Sequence, residues 1–521
     1  MSDSKVRKKR RTNNSGVPEF GAPSEDDRIS ATSRMNTPSS SSASSSRQIN
    51  PAGAAIPSLS TLCARRFATC YKKLRENEGL WKSTTPYLQL LPDAMIHKLF
   101  AMLVAAYPTY LDHAVIVTYF FRGPTISLDS NKLPGAKINT ILAVPRLNPS
   151  LRELVLEGFG TISDDKFASL FSHLTELRTV ILRGCTKVGL KTVVAIAKSC
   201  SHLKITNLNY TSAPPVSIGD LLLSCRELEV LKLAGISNWT DATFSKLVKA
   251  LDTNLVFVAL QTLKLRMLSI TDNNLNFMIS LFPNLRRLDL TFTPAKHPAI
   301  LSSPDSPDLE KLSLTSTQVT ASDLLAIIAR YPHLKTLSLG ALGIRESSKA
   351  TISNSSAMTM SDTTLRGLTA ILTNFRDLES VSLVANTKLC VTGPTHDESA
   401  VQEFVRQVGR RCKYLNLSGI PSIRSDDLTG LMSEDANEPA PPLERLLLNQ
   451  TAIDDAASPF ISCCRNLVSL EVSGTKLTNE GLFQIVDACP SLAYLNLTSC
   501  RGVPVKDRRQ FFQVWEEERK I

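Results

Sequence analysis

One short pattern, L-x-x-L-x-L with Val, Thr or Cys in place of a leucine in some copies, returns thirteen times in the C-terminal two thirds of this chain. The copies begin at residues 151, 177, 203, 228, 260, 285, 309, 334, 378, 412, 443, 467 and 492, and most intervals are 24 to 26 residues. A short loop and an apolar amphipathic stretch follow each copy. Such a period indicates a unit that stacks on copies of itself, because one strand and one helix cannot bury their apolar faces alone.

A unit of one strand and one helix with this period is typical of the leucine-rich repeat. We therefore predict an α/β fold, a horseshoe-like solenoid of about thirteen repeats over residues 146–500. Residues 501–521 carry an apolar stripe with Phe511, Phe512 and Trp515. That stripe predicts a helix that closes the last repeat, since an open end would expose the core.

Composition and charge narrow the class of protein. Apolar residues make up 43% and aromatic residues 6%, as expected where leucines fill a regular stack. The net charge of +11 is too dispersed to indicate a domain that coats nucleic acid. No apolar run reaches the ~20 residues of a membrane helix. No secretory signal is apparent, so we expect the eleven cysteines to be reduced in a nuclear and/or cytoplasmic protein.

Residues 1–56 are polar and rich in serine. This composition predicts disorder, because it offers too little apolar surface to offset the entropy lost on ordering. A basic cluster near the N-terminus is a candidate nuclear import signal, and a solvated basic tail is the alternative. The cluster consists of Lys5, Arg7, Lys8, Lys9, Arg10 and Arg11.

The sequence of residues 57–145 predicts a helical region, which is followed by a cap for the first repeat. Leu59, Cys63 and Phe67 are four residues apart, with Leu62 beside them, so they share one helical face. Further on, Leu91-Pro92 opens a second amphipathic run, and proline suits a first helical turn. Taken alone, either run could be ordinary core.

The order of the two runs resembles the elongin-BC box followed by a cullin box in VHL-box substrate receptors of cullin–RING ubiquitin ligases. Ser58, Leu59, Cys63 and Phe67 match the first box, and Leu91, Pro92 and Ile96 match the second. The resemblance implies an elongin-type adaptor and a cullin as partners, and a role in proteasomal degradation. The residues that it implies for adaptor binding are Leu59, Leu62, Cys63, Phe67, Leu91, Pro92 and Ile96.

Two alternatives stay open for this region. The run from Leu91 to Leu103 is also similar to the opening of an F-box, which would imply a Skp-type adaptor, although the later V-C-r-x-W part of an F-box does not follow. The second alternative is a scaffold or interaction protein without a ubiquitin role, nuclear and conceivably related to DNA repair, whose first helices only cap the solenoid. Burial of Leu59, Cys63 and Phe67 against residues 122–180 would favour this scaffold.

Polar residues and cysteines recur at two places in the repeat. A small polar residue follows most strands, and its side chain is expected to bond the backbone where the strand turns away. Most other cysteines precede the next strand and suit a tight apolar corner, a placement that resembles the cysteine-containing, ribonuclease-inhibitor-like repeats. No paired C-x-x-C motifs occur, so a zinc site is not favoured. We expect no metal and no cofactor.

The third and fifth pattern positions are expected to face outward on the concave side, because side chains alternate along a strand. A basic stripe occupies the middle repeats, and Tyr and Arg, which are frequent binding anchors, follow later. The stripe should attract an acidic or phosphorylated protein segment, with a merely solvated face as the alternative. The candidate substrate-binding residues are Lys232, Lys264, Arg266, Arg287, Lys311, Tyr414, Arg445 and Tyr494.

We find no catalytic motif in the sequence, and we expect no enzyme activity. The seven histidines are scattered, and no Gly-rich phosphate loop, G-x-S-x-G or H-E-x-x-H is present. A single arginine supplied to a GTPase would be the remaining possibility, with Arg183 as its weak candidate. Two insertions, at 345–364 and 433–442, interrupt the period and are expected to be surface loops.

Overall fold

The computed structural model describes residues 46–48, 58–251, 255–341, 360–391, 398–432 and 439–518. The candidate import cluster and most of the predicted disordered tail lie outside these residues. So do residues 345–359 and 433–438 of the two insertions. Helix and strand bounds below refer to the described part of the chain.

One long open sheet runs through the described residues. Strands β2 to β15 are parallel and stand in sequence order, and β1 pairs with β15 at the far edge. The strands are β1 (Ser46–Gln48), β2 (Thr125–Asp129), β3 (Glu153–Glu157), β4 (Thr179–Ile181), β5 (Ile205–Asn207), β6 (Val230–Lys232), β7 (Thr262–Lys264), β8 (Arg287–Asp289), β9 (Lys311–Ser313), β10 (Thr336–Ser338), β11 (Ser380–Ser382), β12 (Tyr414–Asn416), β13 (Arg445–Leu447), β14 (Ser469–Glu471) and β15 (Tyr494–Asn496).

Helices connect these strands, and 3₁₀ turns replace them in some repeats. The α-helices are α1 (Leu59–Glu76), α2 (Glu78–Leu90), α3 (Asp93–Ala106), α4 (His113–Val115), α5 (Ile138–Leu142), α6 (Val144–Leu147), α7 (Asp164–Phe171), α8 (Leu190–Ser199), α9 (Pro215–Ser224), α10 (Asp241–Ala250), α11 (Asp272–Ser280), α12 (Ala321–Ala329), α13 (Asp362–Leu372), α14 (Ala400–Gln407), α15 (Ser458–Ser462), α16 (Asn479–Ala488) and α17 (Val505–Glu518). The 3₁₀ turns are Pro108–Tyr110, Ala299–Ser302, Gly409–Arg411, Ser425–Leu431 and Asp455–Ala457, and Ile116–Phe120 is a π turn. Among the described helices, none has the length and apolarity that spanning a membrane requires.

The leucine pattern forms the core as the sequence predicts. Pattern positions 1, 4 and 6 are buried in repeat after repeat, as Leu285, Leu288 and Leu290 show. Position 4 lies opposite position 4 of the next strand, as Leu288 does with Leu312. The buried leucines therefore form continuous rows, and the prediction of an α/β leucine-rich-repeat solenoid is confirmed.

The residue at position 9 of the repeat, three residues after the last leucine of the pattern, forms a hydrogen bond with the backbone where the chain leaves the strand. The hydroxyl of Thr293 donates to the carbonyl of Leu290 at 2.7 Å, and Thr317 and Thr451 repeat this bond to their own strand ends. Cys185 and Cys500 instead donate from Sγ to the position 6 carbonyl of the preceding repeat, which belongs to Leu156 and Val472 respectively. These buried side chains satisfy carbonyls that would otherwise be unpaired, which confirms their predicted structural role.

Helices α1 and α3 pack through small and aromatic side chains. Ala64, Ala68 and Tyr71 are the buried residues of α1, and α3 buries Leu99 and Leu103, among others. The two alanines allow the helix axes to approach closely, and the Tyr71 ring lies 5.9 Å from the Trp81 ring in an edge-on arrangement. A second face of α1 remains outside this contact.

The sequence does not predict strand β1. Ser46–Gln48 pairs antiparallel with the last repeat strand, with Ser46 opposite Asn496 and Gln48 opposite Tyr494. The prediction of disorder over 1–56 is wrong for these three residues. The physical reason is that β15 is the terminal strand of the solenoid sheet, so its outer edge offers unpaired backbone groups to any extended segment.

Helix α17 packs at the end of the last repeat. Phe511, Phe512 and Trp515 are all buried, and the Phe511 ring lies 5.1 Å from the Phe483 ring of α16.

Aspartates at helix N-termini tie neighbouring repeats together. Asp164 accepts hydrogen bonds from the backbone N–H groups of Gly189, Lys191 and Thr192 at 2.8, 2.9 and 3.0 Å, and from the Thr192 hydroxyl. Although burial alone raises the pKa of Asp164, these hydrogen bonds outweigh it and the pKa is lowered. Comparable bonds join other repeats through Asp241, Asp272, Asp362 and Asp455.

Replacing Asp164 by alanine should lower the free energy of unfolding by about 1–3 kcal/mol, because three backbone donors lose a charged acceptor. Since the folded pKa is lowered, this contribution is present at neutral pH and disappears as the pH falls through that pKa. Urea unfolding of wild type and Asp164→Ala at neutral and acidic pH measures both effects. Asp165→Ala is the matched control, because Asp165 forms an ion pair with Lys191 on the surface, where both side chains are exposed. Equal effects of the two changes would contradict the account.

Candidate functional site

Helix α1 carries an exposed apolar stripe near its N-terminus. Leu59 is 77% exposed, and Leu62 and Cys63 one turn further along are also exposed. The helix begins where Ser58 accepts a hydrogen bond from the N–H of Thr61, so the stripe lies in the first turns. We name Leu59, Leu62 and Cys63 the α1 stripe.

The other residues of the two predicted boxes do not all share this exposure. Phe67 and Leu91 are half-buried and pack against the core, and Pro92 is exposed. Ile96 is only 1% exposed, so its assignment to adaptor binding is wrong. The reason is that the apolar face of α3 is wide, and the part with Ile96 is the part that packs inward.

The α1 stripe and Pro92 belong to one compact group of helices. Helices α1 and α3 pack on each other, and the Lys98 ammonium donates to the hydroxyl of Thr61. Pro92 precedes Lys98 by six residues, which is about 9 Å along a helix. The two predicted boxes therefore meet in one part of the structure, although only some of their residues are accessible.

Helix α2 adds exposed apolar residues that the sequence motifs did not indicate. Leu80, Tyr87 and Leu90 are exposed large side chains. Their spacing of seven and three residues places them along one helical face, and this periodicity is the signal that could have revealed them. Helices α1 and α2 thus both present large apolar side chains to solvent.

The register of the sheet fixes the arrangement of the predicted basic stripe. Lys232 lies opposite Lys264 on neighbouring strands, and Arg287 lies opposite Lys311. Strand neighbours are about 4.8 Å apart, so each pair brings two cationic side chains onto adjacent strands. Asp289, which the sequence reasoning missed, lies opposite Lys264 and places one carboxylate in the same row.

Two of the predicted substrate-binding residues are covered. Lys232 is 9% exposed because it lies between its strand neighbours Asn207 and Lys264, whose side chains point to the same face. Tyr414 is 7% exposed, and the guanidinium of Arg445 lies 5.3 Å from the centre of its ring. Their assignment as accessible contact residues is wrong, whereas Lys264, Arg266, Arg287, Lys311, Arg445 and Tyr494 are half-buried.

The contacts of the buried cysteines indicate a structural role. Cys200 donates to the carbonyl of Leu174 and Cys225 to that of Cys200, at 3.4 and 3.2 Å. Burial raises the pKa of the Cys200 thiol to about 12 and that of Cys225 to about 11. Among the described residues, no group of three or more His, Cys, Asp and Glu side chains could hold a metal ion.

Comparisons with known proteins find similarity in the fold and not in the sequence. No protein-family model matches it. No curated protein is significantly similar in sequence.

Solved structures do resemble it. The crystal structure of the Rad7 and Elc1 complex in yeast is 17% identical with a TM-score of 0.47, over 82% of this chain and 96% of that chain. The internalin InlF of Listeria monocytogenes is 18% identical with a TM-score of 0.37, over 66% of this chain and 80% of that chain. The leucine-rich-repeat protein LIC12759 of Leptospira interrogans is 16% identical with a TM-score of 0.37, over 77% and 96%. At these identities the likeness concerns only the fold.

Thiol accessibility gives a direct measurement of the α1 stripe. Under native conditions iodoacetamide should modify Cys63 early, whereas Cys185, Cys200, Cys225 and Cys412 should resist, because burial raises the pKa of each of these thiols. Peptide mass spectrometry over time reads each site separately, and urea-unfolded protein provides full modification as the control. Slow modification of Cys63 would show that the stripe is covered.

Proposed function

We propose that this protein is the non-catalytic substrate receptor of a cullin–RING ubiquitin ligase. In this proposal the N-terminal helices bind an elongin-type adaptor together with a cullin, and the concave face of the solenoid binds the protein to be ubiquitylated. The observation that carries the proposal is the exposure of the α1 stripe. Its sequence match to an elongin-BC box adds the identity of the partner.

The stripe has the chemistry of a helix that docks into an apolar groove. Leu59 and Leu62 supply the apolar area, and burial of a leucine side chain contributes roughly 1.5–3 kcal/mol. Cys63 is small, so a partner helix or strand can approach the backbone of α1 between the two leucines and the bulkier Phe67. Exposed apolar residues spaced along one helix face are a recognised anchor pattern for such a groove.

The scaffold alternative predicts a different use of the same helix. If α1 only capped the solenoid, Leu59 and Cys63 would lie against the first repeats. Instead, Ala64, Ala68 and Tyr71 are the residues that α1 buries. The helix therefore has a separate face for packing within the protein, which leaves Leu59 and Cys63 available to another chain, although Phe67 is half-buried.

In this proposal the solenoid contributes by holding the target close to the ligase. A target held on the concave face, in a molecule tethered to the ligase through its N-terminal helices, meets the conjugating enzyme at a high effective concentration. The half-buried bases Arg287 and Lys311 lie on neighbouring strands, and Arg266 follows the strand that precedes them. They favour a target segment that carries carboxylate or phosphate groups.

Changing Leu59 and Cys63 to aspartate should abolish co-purification of the adaptor, because two charges would enter an apolar groove. The experiment is a pull-down of the full chain with elongin C and with a Skp-type adaptor in parallel. Leu190→Asp is the control, since Leu190 is also an exposed leucine but lies on a solenoid helix. Thermal unfolding of all variants verifies that the fold is retained.

The outcomes separate the alternatives. Elongin C captured by wild type and lost in the double variant supports the proposal. Capture of the Skp-type adaptor instead, with dependence on Pro92 rather than Leu59, would support the F-box reading. If neither adaptor binds wild type, the ubiquitin role is excluded and a scaffold remains.

Replacing Arg266, Arg287 and Lys311 by glutamate should abolish capture of an acidic target while the adaptor still binds. The reason is that three favourable charges become three repulsive ones on the same surface. Proximity labelling in cells, compared between wild type and the triple variant, measures target capture. The thermal midpoint should be unchanged, and an unaltered set of labelled proteins would refute the assignment of this surface.

A further inference from the structure

Position 8 of the repeat has a left-handed backbone in nearly every repeat. Glycine, which adopts this conformation without steric cost, occupies it at Gly158, Gly184, Gly235, Gly419 and Gly474. Three bulky residues hold the same position: Tyr210, Met267 and Phe292, with φ of 58°, 60° and 59°. A left-handed backbone at a bulky residue costs on the order of 1–3 kcal/mol, so their presence points to a use outside the core.

Together with Gly235, these three residues occupy position 8 in four successive repeats. The N–H groups of Tyr210, Gly235, Met267 and Phe292 each donate to a carbonyl of the next repeat, at 2.7, 2.8, 2.9 and 2.9 Å. The hydrogen-bond ladder therefore continues past the strands, and the side chains stand in a row at the strand spacing of about 4.8 Å. We name this row the apolar rim.

Gly235 has no side chain, but it does not interrupt the apolar rim. A Cβ atom on Gly235 would lie 2.5 Å from the ring of Tyr210, so the ring covers this glycine. Tyr210 is 38% exposed and Met267 is 41% exposed, and Phe292 is half-buried. The rim thus offers apolar surface to solvent.

One arginine joins the rim to the basic stripe. Arg266 immediately precedes Met267, and its guanidinium lies 5.3 Å from the centre of the Phe292 ring. Its Nε is buried and has no hydrogen-bond acceptor within the described residues. An acidic group from a partner could pair with the accessible part of this half-buried arginine and would be shielded from water by the neighbouring apolar side chains.

The charges around the rim favour a protein segment over a nucleic acid. The position 7 residues beside the rim are Asn209, Ala234, Arg266 and Thr291, so only one of the four is basic. Asp289 adds a carboxylate two residues before Thr291. A phosphate chain needs regularly repeated cations, whereas position 7 offers one cation beside the three bulky apolar groups of the rim.

We propose that the apolar rim and Arg266 bind an acidic protein segment in which a bulky apolar side chain stands within about three residues of a carboxylate, since an extended chain advances roughly 3.4 Å per residue. The segment's apolar side chain lies on Tyr210 and Met267, and its carboxylate pairs with Arg266. The inference rests on the proposed function only in taking this segment to belong to a ubiquitylation target.

The test uses the full chain and two labelled peptides in fluorescence anisotropy at physiological salt. One peptide contains Asp-Asp-Leu-Phe-Asp-Asp between Gly-Ser linkers, and the other replaces Leu and Phe by serine at equal charge. Wild type should bind the apolar peptide about tenfold more tightly, which corresponds to about 1.4 kcal/mol. The variant Tyr210→Gly with Met267→Gly should lose this preference, and Arg266→Gln should weaken binding of both peptides.

Control variants keep the result interpretable. Glycine at a left-handed position removes strain, so the rim variant should not have a lower thermal midpoint. If it does, Tyr210→Asn with Met267→Asn provides the second variant, because asparagine tolerates this backbone. Ser316→Gly with Gln450→Gly changes the same position in other repeats, and peptide binding should stay unchanged.

Several outcomes would overturn the inference. They are equal or undetectable binding of the two peptides to wild type, a preference retained in both rim variants, or displacement of the peptide by single-stranded poly-dT. The adaptor pull-down is scored separately on the same proteins. If the adaptor does not bind but the peptide preference is intact, the receptor role is contradicted and the binding site at the rim is still supported. If the adaptor binds but the peptide preference is missing, only the binding site at the rim is contradicted.

Discussion

The burial of leucines across a parallel sheet supports every other feature of this molecule. Position 4 of each strand packs beside position 4 of the next, as Leu263 does with Leu288, and both are almost fully buried. No repeat can bury these side chains alone, so stability depends on interfaces between neighbours. Lateral hydrogen bonds reinforce the stack, from cysteines such as Cys185 at position 9 on the sheet side and from aspartates such as Asp164 at the helices.

The same stacking decides what the surface can do. Once the core positions are fixed, the remaining positions are carried into rows across the repeats, so a residue type that recurs at one position becomes a continuous surface. Arg287 and Lys311 become neighbours in this way, as do Met267 and Phe292. Function on such a scaffold needs few changes in sequence, because a single position repeated in adjacent repeats builds a binding strip without disturbing the buried leucines.

The candidate site was only partly predictable. The exposure of Leu59, Leu62 and Cys63 is consistent with a face reserved for a partner, but Ile96 belongs to the same kind of pattern and is buried. An amphipathic sequence shows that one helix face is apolar, and it does not show whether that face meets the protein itself or another chain. Lys232 and Tyr414 illustrate a second limit, since strand alternation places them outward and yet neighbouring side chains cover them.

The sequence by itself determined the repeat, its period, the buried leucines and the polar residues that end the strands, because each of these depends on interactions within a unit or between identical units. The tertiary structure alone decided which surfaces are accessible. It paired Ser46–Gln48 with the last strand and laid the Tyr210 ring over Gly235. It also brought Arg266 against Phe292. Such contacts depend on the rise from one repeat to the next and on the twist between strands, and no local pattern in the chain encodes them.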